Sequence, residues 1–339
     1  MNNEENDIER QELARRVGKN GDRILMEYFD DIGLANKTNN EINDLINRLR
    51  ICGVDIKKVF FECGRDSTLK TRVDRNQAIA IVFRFFRELG IDVSKLLEEG
   101  KYNNEREQAV YLSFNKGVKR NETTSPTFAG EDVHAYAKET GTLTDVYSLV
   151  HEISHTLYVQ NQFGEARMIL GEVIPQCMER MLDGYLIELA GRKGVDVDID
   201  ALKENIIKRR ISTAIDRFRM ASRIAKGEYK FASEKAEFSR YMLAQIYATK
   251  LMGMDKSIQK QRIFDFIEAL KSNDIKKANE AFDMQIGKEH SKERARYVSD
   301  CIWNLQKDVL TFQENEIPKE QTSEVTRTVS RENEKEPEM

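Results

Sequence analysis

Apolar residues recur along most of this chain at helical spacing. Between Val73 and Leu89, Ala78, Ile79, Ile81, Val82, Phe85, Phe86 and Leu89 fall on one face, and Gly90 closes the run. This predicts the strongest amphipathic helix of the N-terminal third. A similar period runs through Ile24, Leu25, Tyr28 and Phe29, and through Ile42, Leu45, Ile46 and Leu49. Gly53 and Gly64 act as helix stops around VDIKKVFFEC, and a short helix is predicted over Val93 to Glu98. The period then changes. Gln108 to Phe114 (QAVYLSF) is rich in β-formers and Asp132 to Lys138 (DVHAYAK) alternates, with the turn-rich loop NKGVKRNETTSPTFAGE between them. A small sheet of two or more strands is predicted there, followed by helices to about Gln313. The polar ends read as disordered. The pattern predicts a mainly α fold with a small β-sheet. It divides into a disordered N-terminus (1–15), a helical N-terminal subdomain (16–105), a larger domain (106–313) and a disordered charged tail (314–339).

Composition narrows the function classes. Apolar content of 40% with 33% charged residues fits a helical, water-soluble chain. A net charge of −4 supplies no basic field for nucleic acid. The start (MNNEENDIERQE) has no apolar signal core, and no stretch approaches the roughly 18 apolar residues of a membrane span. A cytoplasmic location with no membrane partner is expected. Cys52, Cys63, Cys177 and Cys301 lack CxxC spacing and read as reduced thiols in or near the core.

The candidate chemistry lies in Thr140 to Leu157, TGTLTDVYSLVHEISHTL. Val146, Leu149, Val150, Ile153 and Leu157 make one apolar face, and Thr144 and Asp145 suit the cap and first turn. His151, Glu152 and His155 fall off that stripe, on the more polar side. Histidines at i and i+4 stand one above the other on a helix and can grip one metal ion. Neutral imidazole suits zinc, and the glutamate after the first histidine sits beside the water such an ion would hold. A hydrolytic zinc needs a third protein ligand. His134, His290 and several acids are candidates, and Glu172 is the best placed, opening GEVIPQCMERMLDGYLIEL, a predicted helix to about Leu189. Glu179, seven residues on, returns to the same face and could hold the other ring nitrogen of a ligand histidine.

TGTLTDVYSLVHEISHTLY and GEVIPQCMERML resemble the two metal helices of the oligoendopeptidase F and thimet-oligopeptidase group of zinc endopeptidases. The resemblance implies a zincin-like catalytic domain over 106–313, with His151, His155 and Glu172 as zinc ligands and Glu152 as general base. It implies a peptide or flexible protein segment as substrate. It also implies a cut-down N-terminal wall, because members of that group are longer. Their C-terminal signature, a histidine followed by tyrosines that stabilise the transition state, is matched here by EFSRYMLAQIYATKL. Glu237 stands at the histidine position, and Leu243 and Gln245 stand at tyrosine positions. Tyr241, Tyr247 and His134 remain as candidate oxyanion or substrate contacts. The strand from Val133 to Lys138 is expected to pair with an extended substrate. The basic run Lys203 to Arg223 reads as a solvated helix face, with contact to an acidic partner or peptide carboxylate as the alternative. The alternative function is a zinc-scaffold binding or regulatory protein with weak or partner-specific proteolysis.

Overall fold

The computed structural model describes residues 31–65, 71–103, 109–118, 122–124, 132–158, 165–192, 198–229, 232–287 and 289–316. The two ends read as disordered, 1–15 and nearly all of 314–339, lie outside them. The fold is mostly helical with a small sheet. Four helices come first: α1 (Asp31–Ile51), α2 (Ile56–Arg65), α3 (Arg75–Glu88) and α4 (Ser94–Glu99). Strands β1 (Lys101–Asn103), β2 (Ala109–Asn115), β3 (Glu122–Thr124) and β4 (Val133–Lys138) follow. Then come α5 (Thr144–Thr156), α6 (Glu165–Leu170), α7 (Val173–Ala190), α8 (Ile199–Ala225) and α9 (Ala232–Met252). The chain closes with α10 (Lys256–Lys271), α11 (Ile275–Ala281) and α12 (Ser291–Glu316). None of the described helices is long and apolar enough to cross a membrane.

Local rules account for several of these boundaries. Asp74 caps α3 by accepting from the Gln77 amide at 2.8 Å, and the Gln77 side chain accepts from the Asp74 amide at 2.9 Å. This reciprocal box satisfies two amides that the first turn would otherwise leave unpaired. The apolar face of α3 then buries Ala78, Val82, Phe85 and Phe86, as its spacing predicts.

The sheet has the order β1-β2-β4-β3. Parallel pairing of β2 with β4 sets Val110 opposite Val133 and Phe114 opposite Ala137 on the buried face. Tyr111 and His134 are paired on the other face. This topology corrects one expectation. β4 is not an edge open to a substrate: β2 occupies one side, and β3, inside the stretch read as loop, pairs antiparallel on the other. Three residues, Glu122 to Thr124, were too few to show a strand period.

One connected apolar core runs from Leu34 in α1 to Phe312 in α12. Helix α1 packs on α8 and α12, and α3 packs on α5. Cys63, Cys177 and Cys301 are buried, whereas Cys52 is exposed at the end of α1, and all four thiols are free.

Candidate metal centre

The turn from β4 into α5 sets the direction of the motif helix. Asp145, fully buried, accepts from the amides of Thr140 at 2.9 Å and Gly141 at 2.8 Å. Gly141 takes φ +76, a conformation that glycine adopts without strain. Asp145 thus ties down the preceding turn from the first turn of α5, where the sequence put it; Leu143, not Thr144, stands at the cap position, without a side-chain bond. The helix is buried on nearly every face, including Ser148, Glu152, Ser154 and Thr156. Its more polar side is an interior polar lining.

His151 and His155 lie one turn apart on α5, and Glu172 stands immediately before α7. The two Nε2 atoms are 3.2 Å apart. Glu172 reaches His151 Nε2 at 3.7 Å and His155 Nε2 at 3.8 Å. Four-coordinate zinc, with its ligands at about 2.0–2.1 Å, puts neighbouring donor atoms about 3.3 Å apart. The three side chains form a group that could hold a metal ion.

Both imidazoles are fixed with their outer nitrogens as donors. His151 Nδ1 lies 2.7 Å from Glu179 Oε1. Burial by itself raises the Glu179 carboxyl, but the Arg209 charge and the His151 hydrogen bond hold it down at about 2. It is therefore an acceptor, and His151 Nδ1 carries the proton. His155 Nδ1 lies 2.8 Å from the Tyr158 hydroxyl, which itself donates to the Gly171 carbonyl. The Tyr158 oxygen is thus free to accept from His155 Nδ1–H. In the neutral ring each Nε2 therefore turns a lone pair inward. Glu172 Oε2 is buried there with no hydrogen-bond donor. Two imidazole nitrogens 3.2 Å apart, converging with a carboxylate oxygen that has no donor, fit a bound cation.

The titration of the cluster points the same way. Burial lowers the affinity of His151 for a proton, but Glu179, Glu172 and Glu152 outweigh it and raise the group to about 9. Burial and the neighbouring His151 push His155 well below its ordinary value. Burial raises Glu172 against the pull of His151, Arg217 and Arg240. The cluster favours one added positive charge. Glu152, 4% exposed, lies close enough to influence both His151 and Tyr158.

A second layer backs the first. Arg209 on α8 donates to the far oxygen of Glu179 and lies 3.8 Å above the Tyr147 ring. Tyr147 donates to Asp183 Oδ1 at 2.6 Å, and Arg210 donates to Asp183 Oδ2 at 2.7 Å. Asp183 is fully buried. The run Lys203 to Arg223 is thus not simply a solvated face: part of it turns inward because α8 packs against α1, α9 and α12. Tyr158 carried a readable signal, standing three residues after His155, whereas Arg209 and Asp183 carried none.

The remaining candidates make other contacts. His134 stacks between Tyr111 at 4.8 Å and Tyr136 at 6.1 Å, on the sheet face opposite the buried one. Tyr247 is fully buried, donates to Asn279 and packs edge-to-face on Phe266 and Phe282. Tyr241 lies under the Arg217 guanidinium at 3.9 Å. His290 lies 3.4 Å from Glu289 and lines an 840 Å³ groove beside α11. Leu243 is buried, and Gln245 lines a cavity of about 10 Å³ behind Glu179. The Glu237 side chain lies outside the described residues. Cys177 is buried on α7, where burial pushes its thiol up and suppresses a ligand role.

No family model matches the chain, and no curated protein matches it. Two solved structures resemble it. The BsuCP crystal structure is 13% identical over 74% of this chain and 65% of its own, with a TM-score of 0.39. A "putative peptidase" from Chlamydophila abortus is 14% identical over 82% of this chain and 55% of its own, with a TM-score of 0.42. The chain thus covers less than two thirds of the length of either.

Proposed function

We propose that the protein is a zinc-dependent metallopeptidase that hydrolyses oligopeptides or flexible protein segments. One observation carries this reading: two imidazoles anchored at Nδ1 with their Nε2 atoms facing inward, converging with Glu172 at 3.7–3.8 Å beside the buried Glu152. Zinc bound there supplies a Lewis acid that polarises a carbonyl and acidifies a water. His151, His155 and Glu172 would hold it, with Glu179 and Tyr158 fixing the two rings.

Glu152 is the general base. It follows His151 directly on α5, and its burial excludes the bulk water that would compete for a proton. It takes the proton from the attacking water and returns it to the leaving amine nitrogen, so that it ends each cycle unprotonated. The choice of zinc follows from the ligand set, two imidazoles and one carboxylate.

Metal content and cleavage of a quenched-fluorescent peptide library test this together, wild type beside Glu152→Gln. One zinc per chain with cleavage lost in the variant is the expected result. Equal cleavage by both would remove Glu152 from the mechanism. Zinc with no cleavage by either would favour the scaffold or regulatory reading.

A further inference from the structure

Most arginines around the site have an acid of their own. Glu179 holds Arg209, Asp183 and Asp308 hold Arg210, and Arg180 lies 4.0 Å from Asp183. Arg217 on α8 and Arg240 on α9 differ. Each keeps a buried Nε with no hydrogen-bond acceptor, and neither has a carboxylate partner among the described residues. Arg217 stacks on Tyr241, the chain neighbour of Arg240, so both belong to one seam between α8 and α9. That seam packs on α7, the helix that Glu172 opens, and both charges act on the Glu172 carboxyl.

Half-buried cations without counter-ions are costly, and a metal cation beside them would add to the cost. Glu172 does not relieve it, because a carboxylate that ligates a metal is neutralised by that metal. An anion brought by a ligand would. The planar guanidinium matches a carboxylate in two-point geometry.

We infer that Arg217 and Arg240 form a carboxylate-recognition subsite beside the metal-binding group, and that the substrate presents a carboxylate close to the bond that is cut. The second half rests on the peptidase reading; the first is a statement about binding alone. The carboxylate can be the C-terminus of a peptide or an acidic side chain.

The test uses the full chain, zinc-loaded, as Glu152→Gln for binding and as wild type for cleavage. One short peptide without acidic side chains is made as free acid, as C-terminal amide, and as amide with one internal glutamate. Calorimetry should show the free acid, the glutamate peptide or both binding about 30-fold or more tighter than the plain amide, as expected for a buried charge pair. The form that binds identifies the source of the carboxylate. Arg217→Gln and Arg240→Gln should each erase the difference, and Arg→Lys at either position should restore part of it. Equal binding of all three peptides, no binding of any, or a preference that survives the double Gln variant would overturn the subsite. The comparison of peptides on a protein with both arginines intact does not depend on how the variants fold. Cleavage separates the two claims. Arginine-dependent binding without cleavage by wild type keeps the subsite and sinks the peptidase; equal cleavage of all three peptides does the reverse.

Discussion

The ligand layer and the layer behind it follow different rules. His151, Glu152 and His155 sit on one helix, so the two histidines are paired by local spacing, and Glu172 joins them where α7 packs on α5. Glu179, Arg209, Tyr147, Asp183 and Arg210 form the supporting layer, in which every bond joins two different helices. The first layer defines which ion can bind. The second decides whether the ion meets a preorganised site, because it selects the tautomer of His151 and locks its ring. Local spacing can create a metal motif, but long-range packing makes it a rigid one.

Changing one residue in each layer would break or sharpen this contrast. The largest effect belongs to Glu152→Gln, which should lower cleavage by about 100- to 10,000-fold while zinc stays bound, read by steady-state kinetics and metal analysis. In the second layer, Arg209→Ala should weaken zinc by about 10- to 100-fold with all three ligands intact. Competition with a chelator measures it, and unchanged affinity would show that the support of Glu179 is dispensable. Tyr158→Phe removes the acceptor for His155 Nδ1–H and should cost about tenfold in the same assay.

The ion pairs of the second layer also predict an acid response. In the metal-free protein Glu179 lies at about 2 against its ordinary 4.5. Its folded value is the lower one, so the unfolded chain takes up the proton first. The associated stability is complete above about pH 4.5 and drains away as the pH falls towards 2. Thermal melts should therefore fall more steeply through that window in wild type than in Glu179→Gln; parallel slopes would contradict the Arg209–Glu179–His151 contact. The smallest expected effect is that of Tyr247→Phe. Losing the bond to Asn279 should cost about 1 kcal/mol of stability and leave cleavage within about twofold. A large loss of rate would return Tyr247 to the site.

Residue spacing by itself determined much of this protein. The period of 3.6 marks α3 and α5, and the change of period marks β2 and β4. The i, i+4 histidines with Glu172 and Glu179 emerge from helix geometry, because a helix fixes which residues share a face within a few turns. Only the tertiary structure decided the rest. β3 exists because β4 offers it an edge, although its three residues have no pattern of their own. The polar side of α5 is interior because β4, α3 and α7 surround it. Tyr247, matched by sequence to a catalytic signature, is drawn into an aromatic core with Phe266 and Phe282. Among the described residues, Arg209 and Arg210 of α8 are partners of Glu179 and Asp183, whereas Arg217 of α8 and Arg240 of α9 have no acid of their own. A charged residue has no intrinsic preference that says which of these it will be. That choice belongs to the helices packed against it, and so to residues far away in the chain.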